Sequence, residues 1–405
     1  MNNKPNYSEG SLRNQIVNLM HITGVITPRS YEIIGNYKSI ANCIGKLKKD
    51  GVVEKNNNGE IFESLNIANY SSNLKEYFQW SIPYDHLEYF AKYGRDYVKK
   101  AKYKKNENAG ESRRVIRSGE VTVLMHSAGI KTLPEDKKYV VRDHILTDSV
   151  YYQSREIKTY SNYVDTVEES GNPASGEMKR TLINSRMNGV LLSNGGNFSV
   201  YHVGKEIQTI MANGEYNLKT YIETMLANNI ERANCFIDNA ILYYYQADMF
   251  LKLLNPTKDM FARFGGLDAT YKNLYMLPFD KNGRDMTHIM THPQWDALIK
   301  EIVTEEKVQD TARFTYACDY LIDGTYYFIF CVPNISRFIK FVRGIKFDIS
   351  AGKANKNDFV VCCFDFQEEF VKKAVGDLID VQSMAFDDFL GYWQKVELND
   401  KGITA

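Results

Sequence analysis

The stretch YKSIANCIGKLKKDGVVEKNNNGEIF, residues 37–62, admits few folds. Ile40, Ile44 and Leu47 recur at helical spacing, which predicts a helix with one apolar stripe. Asn36 is placed to cap its start, and Gly51 to end it in the left-handed conformation. Val52–Lys55 and Glu60–Phe62 read as two short strands, and Asn58-Gly59 between them favours a tight turn. Upstream, Leu12, Ile16 and Leu19 predict a first helix within residues 8–25. Thr27-Pro28 predicts a second, short helix, with threonine as N-cap and proline at the first helical position. It carries Ile33 and Ile34 and stops near Gly35. Three helices followed by a hairpin make the pattern of a winged helix-turn-helix.

In that geometry the third helix enters the major groove and the wing touches the backbone. Lys38, Asn42, Lys46 and Lys49 fall at i, i+4, i+8 and i+11, away from the apolar stripe, and Ser39 lies beside them. Lysine meets phosphate or guanine, and asparagine pairs with adenine. Lys55 and Asn57 are the candidate contacts of the wing, where Glu54 and Glu60 oppose phosphate. The competing reading is a winged helix that binds protein.

The whole chain is formally neutral, with 50 basic and 50 acidic residues among 405. That neutrality hides an asymmetry. Residues 1–60 hold eight Lys/Arg against five acids, and residues 91–118 hold ten against three. Residues 358–400 hold ten acids against three lysines. A basic front and an acidic back point to a front that meets an anion such as nucleic acid. Lys99, Lys100, Lys104 and Lys105 are the expected phosphate contacts of the second basic run; its competing reading is a solvated helix. No run approaches the length of a membrane span. MNNKPNYSEG carries no apolar core of a secretory signal, and the six cysteines are scattered without a CxxC pair. Both point to a cytoplasmic protein with reduced thiols.

The length suggests two or three domains. We read 1–66 as the winged helix and 67–165 as a basic helical segment with a polar connector. Residues 166–405 read as an α/β domain. In the middle segment, 111–129 reads as a helix with Val115, Val121, Leu124 and Met125 on its apolar side. In the last, a hairpin around Asn194-Gly195-Gly196, strands at 273–280 and 358–366 and a strand pair joined at Asp323-Gly324 interleave with helices. That interleaving predicts a mixed sheet.

The order winged helix, basic segment, SRMNGVL…FSVYHVG, YMLPFDKNG, CDYLIDGTYYFIF…ISRFIKF and FVVCCFDFQEEF resembles the replication-relaxation family of plasmids and conjugative elements. The resemblance implies a restriction-endonuclease-like fold for the last part. It also implies a relaxase or relaxase-accessory role at a transfer origin. The expected partners are double-stranded DNA, a relaxase or other relaxosome protein, or a second copy of the chain.

Chemistry is harder to find. A restriction-type nuclease holds Mg²⁺ with an acid on one strand and a carboxylate-x-Lys on the next. Asp319 and Asp323 sit on the first strand and its turn, but TYYFIFCVPN opposite has neither acid nor lysine. Glu206 is a third, isolated acid. His288 and His292 have the spacing of two zinc ligands, but Ile289 replaces the glutamate of HExxH. No phosphate-cradling G-x-x-x-x-G-K-[ST] and no G-x-S-x-G is present, and the 28 tyrosines single out no nucleophile. The reading is a non-catalytic DNA-binding accessory protein without a cofactor; Mg²⁺ enters only with the alternative, a nicking relaxase or endonuclease. A further alternative is a transcriptional regulator whose C-terminal domain senses a ligand.

Overall fold

The computed structural model describes residues 8, 10–57, 61–65, 109–133, 137, 141–142, 145–154, 156–157, 185–206, 210–229, 236–304, 318–322 and 324–400. The protein is mixed α/β, and its two larger sheets are both mixed. The chain opens with α1 (Leu12–Thr23), whose cap Ser11 accepts the Asn14 N–H, and closes it at Gly24 with φ 79°. A 3-10 turn (Pro28–Ser30) leads into α2 (Tyr31–Ile34) and α3 (Tyr37–Lys49). The Asn36 side chain accepts the Ser39 N–H at the start of α3, and Gly51 turns left-handed after it at φ 71°. An antiparallel pair follows, β1 (Val53–Asn57) with β2 (Ile61–Leu65), with Lys55 opposite Glu63. The Asn58-Gly59 turn lies outside the described residues.

Helix α4 (Ala109–Ser127) packs against both this unit and the first large sheet. Gly119 is required where they cross, since a Cβ there would stand 2.9 Å from both Cγ2 and the carbonyl of Val25. A minimal pair, β3 (Val141–Arg142) with β4 (Ile145–Leu146), comes next. The first large sheet runs β5 (Val150–Gln153), β6 (Gly189–Ser193), β7 (Gly196–Gly204), β8 (Asn239–Tyr244) and β9 (Asn273–Pro278). Its first three strands are antiparallel and its last three parallel. The crossovers are α5 (Ala212–Asn229) and α6 (Lys258–Thr270). Helices α7 (Lys281–Ile289) and α8 (Trp295–Thr304) then cross to the other face.

The same succession repeats. Hairpin β10 (Tyr320–Ile322) and β11 (Thr325–Ile329) leads through α9 (Ile335–Ser350) to parallel β12 (Phe359–Phe364). Helix α10 (Asp365–Val375) leads to parallel β13 (Asp380–Met384), and α11 (Phe386–Asp400) ends the described chain. The two sheets join where the Met276 N–H donates to the Pro333 carbonyl at 2.9 Å and Asn334 bridges to Tyr275. One face packs against α5, α6, α9 and α10, the other against α1–α4, α7, α8 and α11. Among the described residues no helix is long and apolar enough to cross a membrane.

Two differences from the sequence reading have clear causes. The region to about 165, read as a connector or surface hairpin, holds the β3–β4 pair, and its Val150–Gln153 is a strand at the sheet edge; four residues are too few to show a period. Thr27 is the N-cap with Pro28 after it, as read, but its side chain makes no capping hydrogen bond; its hydroxyl donates to a remote carboxylate, described below.

Candidate nucleic-acid interface

Ile40, Cys43, Ile44 and Leu47 bury one side of α3. Lys38, Ser39, Asn42, Lys46 and Lys49 are all exposed on the remainder. At 100° per residue, Lys38, Asn42 and Lys49 lie within about 40° of one another, and Lys46 and Ser39 flank them. Among the described residues, no carboxylate pairs with Lys38, Lys46 or Lys49. Tyr37 begins the helix 45% exposed, its ring 5.4 Å from that of Tyr31. Asp50, the nearest acid in sequence, is paired with Arg13 at 3.6 Å. Lys55 is exposed on β1, and Asn57 ends that strand. Lys99, Lys100, Lys104 and Lys105 lie outside the described residues.

The base of this unit is held by a buried polar cluster that the sequence reading missed. Glu120 of α4 is 1% exposed. Its Oε1 accepts from the Thr27 hydroxyl at 2.7 Å. Its Oε2 accepts from the Tyr245 hydroxyl and lies 3.1 Å from Nε2 of His202 on β7. The Gly204 N–H donates to His202 Nδ1, which leaves Nε2 as the ring nitrogen facing Glu120. Burial alone would raise the Glu120 carboxyl; the adjacent His202 and the hydrogen bonds from Tyr245 and Thr27 outweigh it and hold the group below its ordinary value. Further ties run from Gln153 Nε2 to the Ile22 carbonyl at 2.9 Å and from Arg284 to the Ile33 carbonyl at 3.3 Å. The Arg29 guanidinium stacks over the Tyr245 ring at 4.2 Å. The α3 face is thus carried on a base anchored to the large sheet. The signal was a glutamate set in an apolar run, GEVTVLM, but its partners are remote in sequence.

Among the described residues the acidic candidates form no group of three that could hold a metal ion. Asp319 is 3% exposed and fully engaged. It accepts the Ile329 N–H at 2.8 Å and pairs with Arg337 at 2.7 Å and Lys300 at 3.3 Å. Burial would lower the Lys300 ammonium, but Asp319 and Asp296 prevail and raise it. Glu206 is exposed in the turn after β7, and Asp323 lies outside the described residues. Replacing Asp319 with alanine strands Arg337 and an amide, while Lys300 keeps Asp296 at 2.7 Å. It should cost about 2–3 kcal/mol of stability in urea titrations.

The histidine pair also separates. Helix α7 ends at Ile289, so His292 falls in the next turn. His288 bonds Glu397 at 2.7 Å and the Ala128 carbonyl at 3.1 Å, while His292 Nδ1 accepts the Gln294 N–H. Among the described residues no three His, Cys, Asp or Glu side chains are grouped to hold a metal ion. The described cysteines are buried, and burial pushes the Cys362 and Cys363 thiols up to about 12. Burial likewise raises the hydroxyls of Tyr201, Tyr243, Tyr244 and Tyr271, which makes them poor nucleophiles. No family model, no curated protein and no solved structure matches this chain.

Proposed function

We propose that the chain is a non-catalytic DNA-binding protein and that α1–α3 with β1 and β2 act as a winged helix-turn-helix. The observation that carries this reading is the open face of α3. Three lysines without carboxylate partners among the described residues surround an asparagine, on a helix whose opposite side is buried. Such a face suits the major groove: lysines neutralise phosphates, and an amide reads adenine. Lys55 on the hairpin is placed to add a backbone contact. The role fits an accessory protein of plasmid or conjugative-element replication or mobilisation, as in the replication-relaxation family. The partner of the acidic C-terminal part would be a relaxase, another relaxosome protein or a second copy of the chain. The helix, three-strand meander, helix and parallel strand from α4 to β8 support descent from a restriction-endonuclease-like fold.

The test is a binding titration against a selected duplex and its scrambled version at fixed salt. Asn42→Ala should cost about 1–3 kcal/mol on the selected duplex and much less on the scrambled one. Equal losses would mean that the helix does not read bases, and no loss on either would assign it to protein contact. Incubation of supercoiled plasmid with the protein and Mg²⁺ or Mn²⁺ should give no relaxed product. Nicking that disappears in Asp319→Ala would overturn the non-catalytic reading.

A further inference from the structure

We infer that the cleft between α5, α6 and α9 binds a small amphipathic anion bearing a single negative charge. It lies on the face of the sheets opposite α1–α3, so the inference does not depend on the DNA reading. Its volume is about 680 Å³, within the usual span of small-molecule sites. The walls are apolar, with Ile210, Leu253, Phe264 and Ile339. Met211, at the rim just before α5, is 61% exposed. A thioether left in water at the mouth of an apolar cleft is an adaptable contact for a ligand of uneven shape. The spacing of the walls is set by Gly266, where a Cβ would stand 2.5 Å from the Ile210 carbonyl oxygen.

The charges at the cleft choose the head group. Lys340 and Arg343 lie one turn apart on α9. Arg343 is held in place by its own hydrogen bonds, from Nε to the Leu254 carbonyl at 2.9 Å and from Nη2 to the Leu253 carbonyl at 2.6 Å. Lys340 is exposed and has no carboxylate partner among the described residues. The one acid of the lining, Asp268, accepts from the Ser336 hydroxyl at 2.8 Å. Two cations and one anion leave a single positive charge to be matched. A polyanion such as a nucleotide would meet Asp268 and leave the apolar walls unfilled. A long alkyl or aryl body with one carboxylate or sulfonate satisfies both.

Calorimetric titration with dodecanoate, below its micelle-forming concentration, tests the assignment on the full chain. Dodecanoate should bind saturably at one site, and the uncharged dodecanol at least about tenfold more weakly, having lost a charge-assisted contact. Ala269 is exposed in the cleft, so Ala269→Trp should fill it and abolish binding without lowering the thermal midpoint. Lys340→Gln, a surface change that keeps the fold whatever the tryptophan does, should weaken dodecanoate about tenfold and leave dodecanol unchanged. Absence of saturable binding would overturn the site. So would equal affinity for the acid and the alcohol, or binding indifferent to both substitutions.

Discussion

Replacing Glu120 with alanine is expected to destabilise the protein by about 3–5 kcal/mol, the cost of removing one member of a buried charged cluster. Two donors lose their acceptor together, the Thr27 and Tyr245 hydroxyls, and the buried His202 Nε2 loses the carboxylate 3.1 Å away. The carboxylate and the His202 ring are both fully enclosed, so the ring cannot turn to water. The loss also has a direction. Thr27 belongs to the N-terminal unit, while His202 and Tyr245 belong to the sheet, so Glu120 is the shared anchor. Limited proteolysis of Glu120→Ala should therefore cut first between α1 and α3, while the sheet stays protected. A urea midpoint equal to that of the wild type would remove Glu120 from this role.

The pH dependence follows from the same cluster. The folded Glu120 carboxyl sits below its ordinary value of 4.5. A depressed folded value means that the unfolded chain takes up the proton more readily, so acid favours unfolding. The contribution of Glu120 is complete above about pH 4.5 and is lost as pH falls through the folded value. The stability gap between wild type and Glu120→Gln should be constant near neutrality and narrow below pH 4.5. A gap that widens in acid would reverse the assigned sign.

Local chemistry made the α3 unit legible. Asn36, Gly51 and the Ile40–Ile44–Leu47 stripe act over a few residues, and each sits where its own conformational preference places it. Thr27 shows where such reasoning stops. It is the N-cap by position, but the carboxylate 93 residues away that its hydroxyl meets is encoded by no local pattern. Asp319 is similar: a candidate nuclease acid on the first strand by sequence, it is a buried ion-pair centre because α8 and α9 bring Lys300 and Arg337 to it. Strand β13, DVQSM, escaped notice because its side chains are mostly polar and exposed, so no apolar alternation marks it. The Glu120 cluster and the α5–α6–α9 cleft arise from elements far apart in sequence, and no local pattern encodes either.

Changing Lys38, Lys46 and Lys49 together to glutamine should nearly abolish duplex binding while leaving the fold intact. None of the three belongs to the buried stripe, and surface changes of this kind move stability by less than about 0.5 kcal/mol. Each phosphate contact contributes roughly 0.9 to the slope of log affinity against log salt, so three lost contacts should lower that slope by about 2.7. Near 150 mM salt this corresponds to a roughly hundredfold loss on any sequence, cognate or scrambled. Indifference to sequence separates the lysines from Asn42, whose removal should be felt only on the preferred site. Lys55→Gln in the hairpin should lower the slope by about one unit without altering sequence preference. An unchanged slope in the triple variant, with duplex binding retained, would move the interface away from α3. The remaining concentration of positive charge is residues 91–118, where the same titration on Lys99, Lys100, Lys104 and Lys105 changed to glutamine would look next.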